Sequence, residues 1–74
     1  MKMTEEQIRK QIEKLNTKIK FQLEEFESLA VKMLKQKDNP DMIIFHNYSL
    51  QIHLVESELN ILITAKKVYE SMIG

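Results

Sequence analysis

The stretch YSLQIHLVESELNILITAKKVY, residues 48–69, decides the fold. Its apolar residues recur at steps of three and four, the period of an α-helix, yet they occupy two sides of that helix. Extended both ways, one row holds Phe45, Tyr48, Ile52, Val55, Leu59, Leu62, Tyr69 and Ile73, interrupted only by Lys66. A second row holds Ile43, Leu50, Leu54, Ile61, Val68 and Met72. At 100° per residue the rows lie roughly 140–150° apart. A single neighbouring helix covers one of them. The second row, roughly 40 Å long, would be an aggregation liability if left facing water, so it is expected to meet a partner.

Working outward, the only internal break is Pro40, because the single glycine is residue 74. In K-Q-K-D-N-P-D, Asn39 suits a helix N-cap and Pro40 the first helical position, where its missing N–H costs nothing. Asp41 follows in the first turn, opposite in sign to the helix dipole, while Lys32, Lys35 and Lys37 crowd the end of the preceding segment. One helix is therefore expected over about 4–37, a turn at about 38–39, and a second helix over about 40–73. A connection this short makes them antiparallel neighbours.

The first segment opens with Thr4 and, three residues on, Gln7, a capping-box arrangement. Ile8, Ile12, Leu15, Ile19, Phe26, Leu29 and Met33 form its seam, widened by Leu23 and Ala30. Their alternating steps of four and three are those of a left-handed antiparallel coiled coil. Gln22 falls on this seam, either as a tolerated polar edge or as a register-fixing hydrogen bond. Fourteen charged residues between Glu5 and Lys37 leave one buried face and one wet face, with Phe21 and Val31 as exposed singletons. The second segment has only six charges: Asp41, Glu56, Glu58, Lys66, Lys67 and Glu70. Its solvated arc carries Ser49, His53, Asn60, Thr64 and Lys67. Leu59 and Leu62 are expected to face Leu15, Ile19 or Leu23, with Leu62→Ala costing about 2–4 kcal/mol as a buried leucine.

Seventy-four residues bound the chain to one domain, near the size where a single core is marginal. Eleven basic residues balance eleven acidic ones, so no bulk field draws the chain to nucleic acid or anionic membrane. Cysteine is absent, which removes thiolate chemistry and fits a reducing compartment. M-K-M-T-E-E leads into no apolar core of a secretory signal, and the longest apolar run, Met42–Phe45, is far short of a membrane span. A cytoplasmic location is expected.

Chemistry-bearing patterns are sparse. His46 and His53 stand seven apart, about 10 Å along a helix, whereas a shared metal favours four-residue spacing. Glu24, Glu25 and Glu27 form an acidic cluster, but acid–base catalysis needs a concave, partly desolvated wall that a hairpin lacks. Glycine-rich phosphate loops, nucleophile elbows and Ser/His/Asp arrangements do not occur. No enzyme, cofactor or metal is expected. Lys2, Arg9, Lys10, Lys14, Lys18 and Lys20 outnumber Glu5, Glu6 and Glu13 in the first twenty residues. Interspersed carboxylates and the lack of aromatic interleaving argue against nucleic-acid binding there.

Two families share local patterns with the chain. E-S-E-L-N-I-L-I (Glu56–Ile63) resembles the S-Q-E-L-D signature of small helical-hairpin phosphatases acting on sporulation response regulators. Asn60 replaces the aspartate of that signature, and the motif lies too far beyond the turn. Over most of its length the chain resembles the small co-chaperones that guard needle subunits in type III secretion systems. The matching features are Q-L-E at Gln22–Glu24, a Met/Lys-rich end at Met33–Lys37, a turn near Asp38, and V-E-S with an apolar run at Val55–Ile63. V-E-S sits about three residues further from the turn than that pattern expects. The resemblance implies a helical hairpin that holds a helical-repeat chaperone. The reading is thus an all-α, antiparallel two-helix hairpin that works when assembled with partner helices or as a dimeric four-helix bundle. Ile43, Leu50, Leu54, Ile61, Val68 and Met72 are the expected partner-binding residues, and the function a non-enzymatic co-chaperone or adaptor. The alternative is a self-associating helical-bundle regulator or inhibitor of the kind phages encode.

Overall fold

A computed structural model describes residues 2–37 and 41–73. Two helices account for almost all of them: α1 (Glu5–Lys35) and α2 (Met42–Ile73), packed along each other as an all-α hairpin. The molecule is a rod of 55 × 16 × 15 Å. Its radius of gyration is 16.8 Å, against roughly 11 Å for a compact globule of this length.

Local chemistry sets the helix ends. Thr4 is the N-cap of α1: its hydroxyl accepts the Gln7 N–H at 3.2 Å, and the Gln7 Oε1 accepts the Thr4 N–H at 3.0 Å. Glu5 and Glu6 follow in the first turn and pair one turn on with Arg9 (2.7 Å) and Lys10 (3.8 Å). Such exposed pairs contribute a few tenths of a kcal/mol each. At the far end the Gln36 N–H reaches the Met33 carbonyl, and the Lys37 N–H the Leu34 carbonyl.

The start of α2 differs from the sequence expectation. Asp41 is the cap rather than a first-turn residue. Its Oδ1 accepts the N–H groups of Ile43 (3.0 Å) and Ile44 (3.3 Å), and its carbonyl accepts that of Phe45 (2.9 Å). An aspartate answers both needs of a helix start, a short acceptor and a negative charge, so the first turn forms one residue beyond it. The expected Asn39–Pro40 cap lies outside the described residues. Asp41→Ala is expected to lower stability by about 1 kcal/mol. Thermal unfolding followed by circular dichroism checks this; an unchanged midpoint would contradict it.

Between the helices the contact is apolar. Leu29, Val55 and Leu59 form the buried centre, with Ile19, Phe26, Tyr48 and Ile52 packed around them; Ile8 is buried nearer the open end. Ile19, one of the expected neighbours of Leu59, packs against the cluster to which Leu59 belongs. Leu62 is only half-buried and borders a cleft with Thr17, Lys18, Phe21 and Gln22, so the leucine-truncation cost belongs to Leu59 rather than Leu62. Leu23 is exposed, because its helical angle carries it past the edge of the seam. Phe45 is also partly exposed, since α1 ends at Lys35 and leaves its ring against the last turn only. Lys66 is half-buried where it interrupts the seam, consistent with a stem lying along apolar surface.

Among the described residues no polar lock crosses the hairpin: every side-chain hydrogen bond joins groups within four positions of each other. Gln22 sits half-buried among Glu25, Gln51, Val55 and Glu58 without a register-fixing bond. The helices are therefore held by packing of a thin core, and each buried aliphatic side chain contributes about 1.5–3 kcal/mol.

Candidate docking face

The two helices differ in how their apolar residues are distributed. In α1 they gather on one side, whereas in α2 they oppose one another across the axis. The α2 seam accordingly turns to α1, with Val55 and Leu59 buried and Tyr48, Ile52, Leu62, Tyr69 and Ile73 half-buried. The second row has nothing over it. Ile43, Leu50, Leu54, Ile61, Val68 and Met72 are all exposed, from 50% at Leu50 to 76% at Ile43.

These six side chains share one side of α2, with Asn47, Ser57 and Thr64 set between them. From Ile43 to Met72 they span about 44 Å at 1.5 Å per residue, most of the length of the rod. No charged side chain falls within the row. Of the polar arc beside it, His53, Asn60, Thr64 and Lys67 are exposed and Ser49 is half-buried. The His53 Nδ1 lies 3.9 Å from a Glu56 carboxylate oxygen.

Phe21 changes the outline of the face. Its helical position suggests an isolated exposed residue, and it is 65% exposed. It borders, however, the same cleft as Leu62, Gln22 and Glu58, and Gln22 and Glu58 also border the cleft that holds Leu54. Phe21 and Leu54 therefore lie on one flank of the hairpin, with Gln22 and Glu58 between them. A second apolar cleft of about 500 Å³ is lined by Ala30, Met33, Leu34, Phe45 and Ile52, with Lys37 at its edge. By helical angle it lies on the other flank, near the turn.

The polar groups do not converge. Among the described residues no three potential metal-ligating side chains come together, and Glu24 and Glu27 lie on the exposed wall of an open dent with Ser28, Val31, Lys32 and Lys35. In the basic N-terminal half of α1, two of the cations, Arg9 and Lys10, are paired with carboxylates. No described helix is long and apolar enough to cross a membrane. Against known proteins, the chain matches no family model, no curated protein and no solved structure.

Proposed function

We propose that this chain is a non-enzymatic protein–protein interaction module, a small cytoplasmic adaptor or co-chaperone that shields apolar surface of another protein. One observation carries the reading: a six-residue apolar row stands exposed on a helix whose opposite face is already occupied by α1. Exposed apolar rows of this length mark interaction sites, because monomeric proteins rarely leave so many large apolar side chains on one face in water. The recognition mode is helix-in-groove, with anchors at Ile43, Leu50, Leu54, Ile61, Val68 and Met72 and Phe21 at the margin. Burying each anchor contributes about 1.5–3 kcal/mol, enough in sum to offset the cost of immobilising two chains. The narrowest form of the proposal is a partner for a helical-repeat chaperone of type III secretion needle subunits. It is supported by the Q-L-E and V-E-S segments, the length and the hairpin.

Site-specific photocrosslinking in the source cells tests the reading. A benzophenone side chain at Ile61 is expected to capture another protein, whereas the same group at Leu34, equally exposed at 69% but outside the row, is not. Equal capture from both positions, or none from Ile61, would contradict it.

A further inference from the structure

We propose that, when no other protein occupies it, the α2 row is closed by the same row of a second copy, the two α2 helices lying antiparallel in the middle of a four-helix bundle. This rests on the reading of the row as a docking surface and adds what covers it in the free protein.

Surface area comes first. A compact protein of 8.8 kDa exposes about 4,800 Å² by the usual scaling of surface with mass, and this hairpin exposes 6131 Å². The excess, roughly 1,300 Å², is larger than the ~800 Å² that each partner buries in a standard stable interface. A second hairpin of the same length removes that excess along the whole rod.

Charge permits it. Eleven cations and eleven anions leave no net repulsion between copies. The row itself brings no like charges together, so pairing it with itself buries no unmatched ion.

The sequence of the row then selects a direction. With the polar residues between its anchors included, it runs Ile43, Asn47, Leu50, Leu54, Ser57, Ile61, Thr64, Val68, in unbroken steps of four and three. Laid antiparallel, Ile43 meets Val68 of the second copy, Asn47 meets Thr64, Leu50 meets Ile61, and Leu54 meets Ser57. Apolar faces apolar, amide faces hydroxyl, and the large Leu54 fills the space beside the small Ser57. Each contact occurs twice, as a two-fold interface requires. A parallel pair would instead stack Ser57 on Ser57 at the centre and leave a void there.

The test uses the full chain at roughly 100 μM, well above a micromolar dissociation constant. Light scattering is expected to give twice the 8.8 kDa chain mass. With a spin label on Glu70→Cys, on the side of α2 away from the row, antiparallel pairing about the Leu54–Ser57 centre places the labels roughly 50 Å apart, whereas parallel pairing brings them to about 30 Å. Leu54→Glu combined with Ile61→Glu is expected to return the mass to that of one chain, while Leu34→Ser leaves it doubled. A single-chain mass for the unmodified protein, a short label distance, or a dimer indifferent to the double substitution would overturn the proposal. A single-chain mass together with capture of another protein from Ile61 would overturn self-pairing alone and leave the docking reading standing.

Discussion

Replacing Leu54 and Ile61 together by glutamate is expected to abolish association while the hairpin stays substantially helical in the cold. Both side chains are about 70% exposed in the hairpin (71% and 69%), so the new carboxylates remain in water and cost the isolated fold little. Glutamate is also at least as good a helix former as isoleucine. In the associated state the same carboxylates would have to leave water without a partner, a burial so unfavourable that the charged group resists it altogether. The intramolecular seam keeps Ile52, Val55, Leu59 and Leu62. The variant should nonetheless melt earlier than the unmodified chain, since whatever binds only the folded form contributes to its apparent stability. Circular dichroism and light scattering read the two halves of this outcome. Retained association would show that the row is not an interface.

Leu59→Ala carries the largest expected effect on folding itself. Leu59 is 8% exposed and belongs to the buried trio with Leu29 and Val55. Truncating it removes the contacts of a buried leucine and leaves a cavity, together worth about 2–4 kcal/mol. For a domain of this size each kcal/mol moves the thermal midpoint by about 4–8 °C, so the midpoint should fall by at least about 8 °C. The thinness of the core makes the protein sensitive, because no hydrogen bond between side chains on opposite helices shares the load among the described residues. Leu62→Ala, at a half-buried site, should shift it less. Equal shifts at the two positions would mean that the seam is centred elsewhere.

The hairpin and its two-sided second helix were legible in the spacing of apolar residues because that spacing records angle about a helix axis, and angle is what decides which side chains meet. Thr4 and Gln7 were legible for a similar reason, since a capping box is a local arrangement of neighbours in sequence. Residues whose surroundings depend on the other helix were not. The angle of Phe21 says that it leaves the α1 seam; only the register of the pair brings it beside Leu62 and onto the flank of Leu54. Phe45 has the seam's angle but faces the last turn of α1, and where α1 stops is a property of the pair. Asp41 against Asn39 as the α2 cap was a choice between two good capping residues two positions apart, which propensity does not separate.

The central claim is that the α2 row is covered when the protein works. Hydroxyl-radical footprinting of the chain in intact source cells measures this directly, with Leu34 as an internal standard, because Leu34 and Ile61 have the same 69% exposure in the hairpin. If the row is docked, Leu54 and Ile61 should be oxidised several-fold more slowly than Leu34. Oxidation of Ile61 as fast as Leu34 would mean that the row faces water in the cell, and the docking reading would be wrong.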